Sequence, residues 1–250
     1  MSPIVRAVGV SKRFGGTLAL DNVDLGIVPG KVHGLVGENG AGKSTLIKLL
    51  SGVHQPTSGA ILVDDHPISL ASPADALRAG IGVIQQDLRV VPALSVAENV
   101  MLGHLPARGP LRGLDTRQMR RDAKSALQRL GVELDLARPV HTLDFAQKQS
   151  IAIARALSRS VRALILDEPT AALDARETEA LFRALSQLKD GGVGIVYVSH
   201  RLDEIVQLCD HCTVMRDGRV VAKLSRHEVD VPQLVWHMSG RHVSTPAGSR

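Results

Sequence analysis

The sequence predicts an α/β protein built on a parallel sheet, and three observations lead there. VHGLVG, residues 32–37, is a short apolar strand running into glycines, and STLIKLLSGV, residues 44–53, follows it as a helix stopped at Gly52. RALILDEP (162–169) and VGIVYVSH (193–200) are compact apolar runs, each preceded by a helical pattern. These runs are nearly continuous in apolar residues instead of alternating, as strands covered by helices on both faces must be.

The remaining elements fall around that core. The first forty residues alternate, as in AVGVSKRF (7–14) and DNVDLGIV (21–28), and predict an antiparallel sheet lying against it. Between residues 70 and 145 the texture becomes helical with Pro and Gly interruptions, among them SPADALRAG and SVAENVMLG. This stretch predicts a helical subdomain, about residues 87–160, inserted into a single domain of residues 1–240. RHVSTPAGSR, residues 241–250, is polar and predicts a tail or the start of a linker.

Composition narrows the classes of function. With 44% hydrophobic, 22% charged and only 2% aromatic residues, the 250-residue chain is a soluble globular protein with an aliphatic interior. The net charge of +5 suits an acidic partner, be it nucleotide, nucleic acid or a membrane surface, and is too small to choose among them. Arginines cluster in residues 108–129, where a solvated helical face explains them better than a nucleic-acid stripe, since few aromatics lie nearby to stack bases. The pair Cys209 and Cys212 has no second pair downstream, which favours reduced thiols over a zinc site. No stretch reaches the roughly 18 apolar residues that span a bilayer, and no signal-peptide pattern opens the chain, so action on a membrane goes through partners.

Chemistry concentrates in GENGAGKS, residues 37–44, a complete GxxxxGK[ST] match set between strand and helix. Gly37, Glu38, Asn39, Gly40, Ala41 and Gly42 curl into a nest of backbone N–H groups around phosphate. Lys43 reaches the β and γ oxygens, Ser44 ligates Mg²⁺, and Thr45 completes the phosphate-binding set. A plain glycine turn explains neither Lys43 nor Ser44. A magnesium nucleotide also needs a carboxylate at a neighbouring strand end, and Asp167 supplies it, with Glu168 beside it to polarise water as general base. His200 closes the next apolar strand, within reach of the γ-phosphate.

This order of motifs resembles the ATP-binding-cassette (ABC) ATPases over nearly the whole chain: a P-loop NTPase core with a parallel sheet, an N-terminal antiparallel β-subdomain and an inserted helical subdomain. By that resemblance, GVIQQDL is a Q-loop with Gln86 joining Ser44 and Asp167 around the metal and taking part in catalysis with Lys43, Glu168 and His200. LILDEPTAALD holds a D-loop with Asp174, Phe14 stacks on adenine, and residues 142–157, TLDFAQKQSIAIARAL, stand where the family has its LSGGQ signature. Two such domains sandwich two ATP molecules, each signature facing the γ-phosphate held by its partner's P-loop. LVGENGAGKSTLIKLLSGVHQPTSGAI and LSVAENV are similar to the first ATPase domain of bacterial monosaccharide importers of the ribose, xylose and galactose class.

The resemblance implies an ATP-hydrolysing subunit of a sugar importer, peripheral on the cytoplasmic face of the bacterial inner membrane. Its partners would be a second ATPase domain, membrane permease subunits and, indirectly, a periplasmic sugar-binding protein; no nucleic acid is expected. Importers of nucleosides and of sugar-like signalling molecules share much of the pattern. A soluble ABC protein acting on nucleic acid or ribosomes, and a regulatory module that binds ATP and scarcely hydrolyses it, stand as rivals.

One departure is specific. Aligned on Gln147, the signature places Asp144 at the usual serine, Phe145 at the first glycine and Ala146 at the second. A carboxylate caps a helix as serine does but has no hydroxyl proton to give a phosphate. At about 4 Å and an effective dielectric near 20 it repels one phosphate charge by about 4 kcal/mol, an upper figure that hydration lowers. The expectation is a sound helix that activates the opposite nucleotide poorly.

Overall fold

The computed structural model describes residues 2–85, 89–107 and 113–240. Strands β1 (Val5–Phe14) and β2 (Thr17–Ile27) pair antiparallel, and β4 (Ser58–Val63) and β5 (His66–Ile68) extend the same sheet in the order β2-β1-β4-β5. The main sheet takes β3 (Val32–Gly37), β6 (Ile81–Ile84), β7 (Ala163–Asp167), β8 (Gly194–Val198), β9 (His211–Arg216) and β10 (Arg219–Ser225), ordered β10-β9-β3-β8-β7-β6. Its pairings are parallel from β9 to β6, and β10 closes the edge antiparallel.

Alternation within the buried strands divides the interior in two. In β8, Ile195 and Tyr197 face one core with Val32, Val36, Leu164 and Leu166, while Val196 and Val198 face the other with Leu35 and Ile165. The second core also takes Val5, Ala7, Leu25 and Ile27 of the antiparallel sheet and Leu46, Leu49 and Leu50 of α1 (Lys43–Leu50). A sheet buried on both faces is the reason its strands read as unbroken apolar runs.

The first core is roofed by helices. α3 (Val96–Val100), α4 (Thr116–Gln128) and α5 (Phe145–Leu157) pack on one another, and α5 also touches β6 and α6 (Ala175–Asp190). α4 turns Met119, Ala123, Ala126 and Leu127 inward, while Arg117, Arg120 and Arg121 are exposed. The textural change at residue 70 precedes the structural one. α2 (Pro73–Arg78) leads into β6, which pairs with β7, so these residues stay with the main sheet. Four residues of strand show too little periodicity to stand out in the sequence. α7 (Leu202–Leu208) and α8 (Val231–Ser239) complete the fold. Cys209 and Cys212 are buried free thiols, both close to Gly34. Among the described residues no helix is long and apolar enough to cross a membrane. The tail expected at 241–250 lies outside the described residues.

Candidate functional site

Strand order builds the site. β3, β8 and β7 are adjacent and parallel, so the glycine loop after β3, His200 after β8 and the Asp167–Glu168 pair ending β7 emerge at one sheet edge. The carboxyl edge of a parallel sheet is where such folds take ligands.

The loop is shaped for backbone approach. A Cβ at Gly37 would lie 2.4 Å from the Met215 carbonyl oxygen, and Gly42, at φ +102°, leaves 2.8 Å to Leu20 Cδ2. Only glycine fits both places. Gly42 is the N-cap of α1, with no side-chain cap and no acidic residue in the first turn. The orphan N–H groups and the positive end of the helix dipole therefore face outward, with Glu38, Asn39, Gly40 and Ser44 exposed, Thr45 half-buried and Ala41 buried beneath.

Lys43 folds over this loop and donates to the carbonyls of Gly37 (2.6 Å) and Glu38 (3.1 Å). Burial holds its ammonium below the ordinary lysine range, opposed by the charges of Glu168 and Asp167. Asp167 sits above the usual carboxylate range, chiefly from burial and then from Glu168, with Lys43 and Lys48 pulling the other way. Glu168 takes a left-handed backbone, φ +50°, costly for a residue with a Cβ. Its N–H donates to the Val198 carbonyl at 2.9 Å, and its Oε1 lies 3.2 Å from His200 Nδ1. The His200 side chain is 62% exposed, able to turn toward a ligand.

The residues expected from the signature, D-loop and adenine contact make local bonds and contacts of their own. Asp144 is the N-cap of α5 in a reciprocal capping box: its Oδ1 accepts the Gln147 N–H at 2.7 Å, and its own N–H donates to Gln147 Oε1 at 3.3 Å. Ala146 is half-buried in the first turn. Asp174 caps α6 in the same way, with Glu177 returning the bond. Among the described residues, no hydrogen bond or ion pair joins Asp144, Gln147 or Asp174 to the Lys43–Asp167–Glu168–His200 group. Phe14, at the end of β1, is 42% exposed, its ring edge-on to His54 at 5.1 Å with Lys12 Nζ 5.2 Å from its centre. Gln86 lies outside the described residues.

Two buried groups next to the site went unread in the sequence. Gln149 of α5 donates to the Pro169 carbonyl at 2.7 Å, tying the helix to the segment after Glu168. Glu204 of α7 gathers side chains from both sides of His200. Each reads in sequence as an ordinary helical polar residue, and only the strand order exposes its position. Between α2, β6 and α5 lies a cavity of about 470 Å³ lined by Leu77, Val83, Arg89, Leu102, Arg155 and Arg159. Arg155 donates to the carbonyls of Asn99 (2.7 Å) and Arg89 (2.5 Å), and burial holds its guanidinium below its ordinary value.

A family model described as ABC transporter matches residues 20–171, a span from β2 past both strand-end carboxylates. The chain belongs to the ABC transporter family. It is 47% identical over 97% of its length to a ribose import ATP-binding protein of Rubrobacter xylanophilus, covering 47% of that relative. To an arabinose import ATP-binding protein of Burkholderia ambifaria it is 46% identical over 98% of its length, covering 48%. The chain thus spans about half the length of the curated relatives it matches. Among solved structures it is similar to an ATP-binding cassette of an ABC transporter in its ADP conformation, with a TM-score of 0.83 and 25% identity over 96% of this chain and 100% of that one. It is also similar to cbiO1 of Clostridium perfringens, part of an ABC transporter complex, with a TM-score of 0.79 and 31% identity over 94% and 93%. The ABC ATPase fold, an antiparallel sheet and a mostly parallel one dressed with helices, is therefore the fold of this chain.

Proposed function

We propose that this chain is the ATP-hydrolysing, nucleotide-binding part of a bacterial ABC importer that takes up a monosaccharide through separate membrane subunits. The observation that carries the reading is the meeting of Lys43, Asp167, Glu168 and His200 at the carboxyl ends of three adjacent parallel strands. The import names of the relatives give the cargo class. Residues 1–240 then form one ATPase domain with its helical subdomain at about 87–160, and 241–250 serve as tail or linker.

The residues present fit a magnesium triphosphate. The loop keeps backbone where a Cβ would block it, and Ser44 and Asp167 offer the hard oxygen donors that Mg²⁺ prefers. These two, with Gln86 by resemblance, would hold the ion, which when bound neutralises charge on the β and γ oxygens. Lys43 exchanges its two carbonyl acceptors for phosphate oxygens. Glu168 takes the proton of the attacking water, a role worth about 10²–10⁴ in rate. His200 faces the Glu168 carboxylate through Nδ1 and offers its other ring nitrogen as the hydrogen-bond donor to the γ-phosphate.

A second ATPase domain supplies its signature to ATP bound here; one similar cassette, at 27% identity and a TM-score of 0.73, is titled a dimeric post-hydrolysis state bound to ADP and Pi. ATP binding closes this sandwich, hydrolysis reopens it, and the Gln86 segment with the helical subdomain passes the motion to permease subunits. The cavity beside α5 supports such a contact, because Arg155 spends its donors on the Asn99 and Arg89 carbonyls and, with Arg89 and Arg159, leaves positive charge at the wall. The chain would work at the cytoplasmic face of the membrane, served from outside by a periplasmic sugar-binding protein. Calorimetry with MgATP, phosphate release, and restoration of ribose or arabinose uptake in cells lacking their own importer ATPase test the reading in turn. No nucleotide bound at millimolar MgATP overturns it, and turnover without uptake of any pentose or hexose overturns the cargo class.

A further inference from the structure

Glu204 is 2% exposed and carries a cluster that the hydrolytic scheme above does not use. Three hydroxyls converge on its Oε2: Thr170 at 2.8 Å, Tyr197 at 2.8 Å and Ser199 at 3.0 Å. Its Oε1 faces Arg201 Nη1 at 3.0 Å. Thr170 and Ser199 are buried, and Tyr197 is fully enclosed in the sheet. Burial, followed by the nearby Glu204 charge, holds the Tyr197 phenol well above its ordinary range, so it serves as a neutral donor.

Position gives the cluster its meaning. Thr170 stands two residues after Glu168. Ser199 and Arg201 flank His200, and the Arg201 N–H donates to Ser199 Oγ at 3.0 Å, closing a turn around the histidine. One carboxylate oxygen thus holds the exit from the Glu168 segment and one shoulder of His200 by hydrogen bonds, while the other oxygen meets the second shoulder as an ion pair without a hydrogen bond. Stability alone accounts poorly for it. A buried carboxylate facing a guanidinium that is 43% exposed carries a desolvation cost that replacing the whole cluster by apolar side chains would avoid, and such wholesale replacements are often neutral or stabilising. Glu168 keeps an unfavourable backbone, and a strained residue persists only where its surroundings over-determine it.

We propose that Glu204 is a positioning residue for ATP hydrolysis: its buried carboxylate sets the spacing between the Glu168 carboxylate and His200 by binding the segment after the one and both neighbours of the other. The inference rests on the ATPase reading above. Glu204 touches no phosphate in this scheme, so its loss strikes the chemical step and spares binding at the glycine loop.

The test compares wild type and Glu204→Gln for phosphate release, ATP affinity by calorimetry, and thermal midpoint. A displaced catalytic pair lowers kcat by between about tenfold and a hundredfold, with KM and ATP affinity within about twofold of wild type. Ser199→Ala and Thr170→Val each lower kcat several-fold alone and add little on top of Glu204→Gln, because all three remove one linkage. Unchanged kcat in Glu204→Gln overturns the proposal, as does a fall in affinity and midpoint matching the fall in rate, or full additivity with Ser199→Ala. If Glu204→Gln does not fold, the two hydroxyl variants decide: wild-type kcat in both overturns it. A wild type that neither binds nor hydrolyses ATP strikes the ATPase reading itself, whereas an active wild type beside equally active variants strikes only Glu204.

Discussion

Two helix N-termini in this chain are built in opposite ways. α1 begins at Gly42 with no side-chain cap and no acid in its first turn. α5 begins at Asp144, whose carboxylate accepts the Gln147 N–H of its own first turn and is answered by the Gln147 side chain. The first leaves its orphan donors and dipole for an anion, and the second has filled that place from within. Helix stability and anion binding compete for the same few N–H groups, so a cap is a functional choice wherever a helix points at phosphate. On the proposed function both helices point at one, α1 at the chain's own nucleotide and α5 at its partner's.

The comparison breaks most easily at α1. Lys43→Ala removes the cation and leaves the uncapped helix, and ATP affinity is expected to fall by about a hundredfold. Calorimetry reads it directly, and an unchanged affinity means that backbone alone holds the phosphates. At α5 the matching experiment is Asp144→Ser, which keeps a cap and restores a hydroxyl. Losing half of the about 4 kcal/mol repulsion raises ATP turnover of the assembled transporter more than about tenfold; equal rates for the two proteins refute the idea. Asp144→Ala sharpens the contrast by removing the cap and the charge together. Its thermal unfolding should show a loss of about 1 kcal/mol, with turnover nonetheless above wild type; a fall in both shows that the cap is what the signature needs.

The smallest effect concerns Asp167. Burial and Glu168 hold its carboxyl above the unfolded value, so the ionised form weighs against the ligand-free fold above that raised value, and the penalty fades as pH drops below the unfolded one. Asp167→Asn should therefore lift the ligand-free melting point at neutral pH, with the gain shrinking toward acid pH. A pH-independent gain points to packing instead of charge.

Legibility tracked locality. The glycine loop was readable because its glycines, Lys43 and Ser44 act within eight residues between a strand and a helix, and each has a chemical reason to be there. Asp167, Glu168 and His200 followed from the rule that ligands gather at strand ends, and the structure brings them together with Lys43. Asp144 was legible as a cap because capping is settled within one turn. β6, β9 and β10 were not read: β6 is four residues long, and the places of β6 beside β7 and of β9 beside β3 depend on neighbours distant in sequence. Glu204 in a first helical turn looks like a dipole complement; its burial is decided by Thr170 and Tyr197, which no spacing rule connects to it.

The bonds from Lys43 to the Gly37 and Glu38 carbonyls bear on how the cassette empties. On the proposed function, the ammonium is not stranded in a half-dry recess when spent nucleotide leaves, because main-chain oxygens can solvate it in place of phosphate. Departure therefore carries a smaller electrostatic penalty than the number of phosphate contacts implies.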